Sequence, residues 1–115
     1  MPPDAPTEND VARVALAFAE ALARRDWDTA RSFLSAEFLD DNDEPADLER
    51  EYDQMTSYWD KPAESVKLTS ADSEWAFVAI DSTSASYGCV LEGVAVQVEM
   101  EAGQPKITRV VWGRP

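Results

Sequence analysis

The sequence predicts an α+β domain, with helices first and an antiparallel sheet after them. Three observations carry this. Apolar residues recur every three to four positions as far as Trp59, the mark of amphipathic helices. Pro62 then stops the helical pattern, because a proline cannot continue the hydrogen-bond ladder. Beyond Pro62 the apolar residues alternate with a period of two. A run of helices followed by a run of strands is the α+β arrangement. The chain of 115 residues has the usual size of one domain, and its 44% hydrophobic residues can fill one core. The expected elements are helices over 8–25, 27–35 and 47–60, packed on an antiparallel sheet over 65–112 that curves around the first helix.

Each element has its own signal. Residues 1–6 hold three prolines and read as a loose arm. Thr7, followed three positions later by Asp10, approximates a capping box, and Glu8 and Asp10 suit the positive end of a helix dipole. Val11, Ala15, Phe18 and Leu22 then share one face, and Arg24 and Arg25 close the negative end. The second helix is capped by Asp26 or Asp28 and presents Trp27, Ala30, Arg31 and Leu34. Phe38 and Leu39 read as a short extended piece, and residues 40–45 as a polar loop. Leu48, Tyr52, Met55 and Trp59 form the stripe of the third helix.

In the sheet, Val66 and Leu68 alternate with Lys67 and Thr69. The continuous apolar run from Trp75 to Ile80 predicts a strand covered on both faces. Tyr87, Cys89 and Leu91 alternate in odd register, whereas Val94, Val96, Val98 and Met100 alternate in even register. Such a phase shift calls for a bulge or a turn at Glu92–Gly93. Residues 102–105 read as a turn, and Ile107 to Trp112 as the last strand.

Composition narrows the function classes. The chain carries 23 acidic against 10 basic residues, a net charge of −13. A field of that sign repels phosphate backbones, which argues against nucleic acid; it reads first as a solubilising surface and, as the alternative, as attraction to a cationic ligand or a basic protein partner. No run of about 18 apolar residues predicts a membrane span. The acidic, proline-rich start lacks the pattern of a signal peptide, and Cys89 is the sole cysteine, so the expected location is the cytoplasm.

Chemistry is constrained further. The chain has no histidine, which removes the commonest general base near neutral pH and makes a tetrahedral zinc site unexpected. Cys89 sits mid-strand in an apolar pattern and reads as a packing residue. Four glycines are scattered and make no phosphate loop. Asp40, Asn42, Glu44 and Glu51 stand at positions one, three, five and twelve of an EF-hand-like loop. Position six is Pro45, which cannot make the sharp turn a calcium loop needs. No metal and no cofactor is expected.

The order helix, Arg24-Arg25-Asp26-Trp27-Asp28, short helix, residues 33–38, third helix and strands ending in residues 107–112 resembles the nuclear-transport-factor-2-like superfamily. This is a cystatin-like α+β group that includes ketosteroid isomerases. The resemblance implies a cone-shaped architecture in which the sheet wraps the first helix, and a homodimer through the outer sheet face. It also allows the isomerase branch to be checked by residue. Where that branch carries an oxyanion-hole tyrosine this chain has Phe18. Its catalytic aspartate falls near Asp40 or Asp41, and its second oxyanion acid falls near Ala95. Phe18 and Ala95 donate nothing to a developing negative charge, so steroid-type isomerisation is not expected.

In the resembling fold the first helix, third helix and concave sheet face enclose a pocket. Its candidate lining here is Phe18, Tyr52, Met55 and Trp59, with Asp40 at the mouth, where acids favour a neutral or cationic guest. The sequence therefore reads as a non-catalytic domain that binds a small apolar or cationic molecule or a protein partner. The alternative is a small isomerase- or lyase-like enzyme using Asp and Tyr groups in that pocket. Its signature would be a raised pKa on a buried carboxylate, held in a deep cavity near Tyr52. The run Trp75 to Ile80, apolar on both faces, independently suggests that the sheet's outer face is covered by a second copy.

Overall fold

A computed structural model describes residues 6–36, 38, 46–59, 61–84 and 88–112. Helices α1 (Glu8–Ala23), α2 (Trp27–Ser32) and α3 (Ala46–Met55) precede strands β1 (Ser65–Ala71), β2 (Trp75–Ser84), β3 (Gly88–Glu101) and β4 (Gln104–Trp112). The strands form one antiparallel sheet in the order β1-β2-β3-β4, open at both edges. Residues 40–45, Asp40 among them, and Tyr87, which the sequence reads as a polar loop and as part of a strand, lie outside the described residues.

The helices begin where the sequence places them and end earlier. Thr7 and Asp10 form the reciprocal capping box, with Thr7 N–H on Asp10 Oδ2 at 3.2 Å and Asp10 N–H on Thr7 Oγ1 at 3.1 Å. Pro6, read as part of a loose arm, is buried. α1 stops at Ala23 rather than at residue 25 because Arg25 takes the left-handed conformation, φ 59°. The Arg25 N–H then reaches Leu22 O at 2.9 Å and the Asp26 N–H reaches Ala21 O at 2.9 Å, a Schellman ending with arginine where glycine is usual.

α2 stops at Ser32 rather than at 35 because the next residues turn to the sheet. Leu34 bridges Ile107 in parallel, Ser35 N–H donates to Ile107 O at 2.8 Å, and Ile107 N–H donates to Phe33 O at 2.7 Å. Phe38 is helical, not extended, and its N–H is held by Ser35 Oγ at 3.0 Å. α3 stops at Met55 rather than near 60. The Thr56 hydroxyl takes the Tyr52 carbonyl at 2.9 Å, and the chain tightens to a three-residue turn with Trp59 N–H on Thr56 O at 2.9 Å.

The phase shift expected at Glu92–Gly93 is absent. β2 and β3 pair without interruption from Trp75↔Gln97 to Ser84↔Gly88, so residues 92 and 93 are neither a bulge nor a turn. The even residues of β3 keep the buried face throughout: Val90, Glu92, Val94, Val96 and Val98. Cys89 and Leu91 point outward and are exposed. The shifts occur in the edge strands instead. Thr69 is the extra residue of β1, between Leu68↔Val78 and Ser70↔Phe77. Thr108 is the extra residue of β4, between Ile107↔Val98 and Arg109↔Gln97. Each threonine donates its hydroxyl to the neighbouring strand, Thr69 to Phe77 O at 2.9 Å and Thr108 to Gln97 O at 3.5 Å. Bulges on both edges disrupt the flat ladder that would recruit stray strands. The β3–β4 turn is the tight hairpin expected there, with Ala102 at φ 52° and Gly103 at φ 81°.

α1 lies across the inner face and buries Val11, Val14, Ala15, Phe18 and Leu22 against Val78, Ile80, Val94, Val96 and Ile107. On the outer face the Phe77 ring lies over Gly93. A Cβ on Gly93 would stand 2.5 Å from Phe77 Cζ, so this strand position accepts glycine because the ring occupies the space of a side chain.

Three surface carboxylates hold local structure and have pKa values below the ordinary range. Asp10 is lowered chiefly by the Thr7 backbone N–H, Asp26 by Thr29 through its hydroxyl and then its amide, and Asp72 by the Trp75 and Glu74 amides. A depressed folded pKa contributes stability that is present above the unfolded value, about 3.9, and lost as pH falls through the folded value. Thermal melts should therefore show an acid limb beginning below about pH 4. Replacing all three with Asn should make that limb shallower. An unchanged limb would assign acid unfolding to other groups.

Candidate functional site

The Schellman ending of α1 sets the first wall of a surface groove. Left-handed Arg25 projects its guanidinium over the Trp27 ring at 5.2 Å and onto α3, where Nη1 and Nη2 meet Asp53 Oδ1 and Oδ2 at 2.7 and 3.4 Å. Glu49 stands 3.8 Å away. The Asp53 hydrogen bond is the main cause of a raised Arg25 pKa. All three side chains are about half exposed, so the pair contributes at most about 1 kcal/mol and chiefly fixes the angle between α1 and α3.

Tyr52 lies beneath this pair, 4% exposed, with its ring edge-on to Trp27 at 5.8 Å. Burial raises its phenol pKa, which keeps the group protonated and unsuited to act as a base near neutral pH. The far wall is the segment after Trp59. Buried Ser82 of β2 donates to Pro62 O at 2.6 Å, and Glu64 N–H donates to Asp81 O at 2.7 Å, which tie residues 61–64 to the sheet. Between the walls is a half-open groove of about 320 Å³, near the lower end of ligand-site volumes. Its chemistry-bearing lining is Arg25, Tyr52, Asp53, Ser57, Trp59 and Lys61.

Trp59 gives the groove its aromatic wall. Its Nε1–H is buried and has no hydrogen-bond partner, the one such side-chain atom among the described residues. An orphaned buried donor costs roughly 1–3 kcal/mol.

The sequence candidates divide. Tyr52 and Trp59 come together in the groove. Phe18 is 0% exposed and belongs to the core. Met55 is half-buried and packs on the core without joining the groove lining. Asp40 lies outside the described residues. Arg25, Asp53 and Lys61 were not singled out by the sequence. A positively charged pair, Arg24-Arg25, at a helix end reads as dipole compensation, and nothing in it signals the left-handed turn that aims Arg25 at α3.

A second feature lies on the inner sheet face. Glu92 is 7% exposed, and the Tyr58 hydroxyl, from the turn after α3, donates to its Oε2. This is a buried carboxylate beside a tyrosine, yet neither residue lines the Tyr52–Trp59 groove. Among the described residues no three His, Cys, Asp or Glu gather as metal ligands, and no helix is long and apolar enough to cross a membrane. No family model matches the chain, and a search of curated proteins finds no relative.

Proposed function

We propose that the chain is a non-catalytic binding domain that holds a small molecule with an apolar face against Trp59, in the groove between the end of α1, α3 and residues 61–63. The observation that carries this reading is the aromatic wall of Trp59 in a groove whose carboxylate, Asp53, is engaged by Arg25. Asp53, the carboxylate of the groove lining, is ion-paired to Arg25 and so is a poor general base, which favours binding over catalysis. The helices followed by an antiparallel meander are compatible with a nuclear-transport-factor-2-like architecture, and we read the chain as a member of that group. The exposed thiol of Cys89 suits a reducing cytoplasm.

The test compares the wild type with Trp59→Ala by fluorescence titration and thermal melting against a small-molecule panel. A ligand at a hundredfold excess over its Kd stabilises the wild type by about 2.7 kcal/mol. The variant is expected to stay folded and lose that shift. If Trp59→Ala unfolds while no compound moves the wild-type melting point, Trp59 is a core residue and the reading fails.

One further observation supports a protein partner, a second copy of this chain. Leu91 and Val111, on the outer sheet face with Phe77 and Ala95, are 45% and 47% exposed. We propose that this face closes a homodimer.

A further inference from the structure

We propose, building on the groove reading above, that the guest is a small carboxylate carried on a flat apolar body, with its charged end held by Lys61. Asp53 is engaged by both guanidinium nitrogens of Arg25, and Arg25 is further met by Glu49. The Thr56 hydroxyl is given to Tyr52 O. What remains in the described lining is one unpaired cation, beside hydroxyls that can donate or accept. The Lys61 ammonium and the Ser57 hydroxyl have no partner among the described residues. With Asp53 held by Arg25, the ammonium of Lys61 is the charge left for a guest, and a carboxylate is its strongest hydrogen-bonded match.

The apolar part of the lining, Ala23, Trp59, Pro62 and Ala63, takes the body of the guest, and about 320 Å³ limits it to a ring or two. The acid-rich mouth that would favour a cation rests on Asp40, outside the described residues. The net charge of −13 opposes any anion at long range, but at about 0.15 M salt that field decays over ~8 Å, while a contact with Lys61 is made inside that distance.

The test uses three probes that share one ring: benzoate, benzylamine and benzyl alcohol. Each is titrated at 0.15 M salt while the Trp59 indole N–H resonance is followed, in the wild type and in Lys61→Gln. Benzoate is expected to move that resonance at lower concentration than either analogue. Lys61→Gln, a change at an exposed residue, should weaken benzoate roughly tenfold and leave benzyl alcohol unchanged. Tighter binding of benzylamine or benzyl alcohol, or benzoate binding unaffected by Lys61→Gln, would overturn the carboxylate assignment and leave the groove reading standing. If none of the three moves the resonance, both fail.

Discussion

Phe18→Ala is expected to cost about 3–5 kcal/mol, a large part of the roughly 5–15 kcal/mol that holds a domain of this size together. Phe18 stands in the middle of α1 with 0% exposure, among side chains from the inner face of the sheet. Removing the ring leaves a cavity that helix and sheet cannot close without breaking their own registers, so both the transfer and the cavity contributions are lost. Urea unfolding would show this as a fall in midpoint at unchanged slope, by more than 1 M for a slope of about 1–3 kcal/mol/M. The same variant separates two roles for this residue. A pocket residue truncated to alanine loses ligand and keeps stability, whereas a core residue loses stability first. A cost under about 1 kcal/mol would mean that the helix is not packed as described.

Leu91→Arg is expected to convert the proposed dimer to a monomer and to leave the melting point of the monomer nearly unchanged. Leu91 faces away from the helices on the strand whose other face carries Val90 and Glu92, so a charge placed there meets water in the monomer. In a closed symmetric dimer it would meet the apolar outer face of a second copy, where an unpaired buried charge costs several kcal/mol. The dimer dissociation constant should rise by roughly a hundredfold or more. Sedimentation at micromolar concentrations reads the change directly. A wild type that sediments as a monomer across that range would remove the dimer from the description. A dimer in Leu91→Arg would place the interface elsewhere.

Much of this was legible in the sequence, and the failures have physical causes. Thr7 and Asp10 announce the start of α1 because a capping box is a local contact, complete within four residues. Val94, Val96 and Val98 announce the inner face of β3 for the same reason: alternation is local. Leu91 and Glu92 could not be read that way. An apolar residue was expected inside and a carboxylate outside, and the strand does the reverse. Glu92 is accommodated by the Tyr58 hydroxyl, which arrives from a turn 34 positions away, and Leu91 faces the surface proposed to bind another chain. The inward acid made a continuous strand resemble a phase shift at Gly93. The real shifts, at Thr69 and Thr108, carry no glycine and are marked only by hydroxyls reaching across the ladder. At the groove the aromatic residues were visible as a stripe. The part played by Arg25 depends on one left-handed backbone angle, which an arginine does not advertise.

The strand order also bears on how the chain finds its native state. Each strand pairs only with its neighbour in sequence, and the β3–β4 loop is a two-residue turn. Three hairpins can thus zip one after another, each closing a short loop at small entropic cost, which is the pattern of quick β assembly. One pairing breaks the rule. Leu34 meets Ile107 in parallel, joining the segment after α2 to the last strand across most of the chain. That contact closes a far longer loop than any hairpin of the sheet, so it carries the larger entropic cost. A chain released before residue 107 has emerged would lack the partner of Leu34 and Ser35, and its α2 end would stay undocked from the sheet.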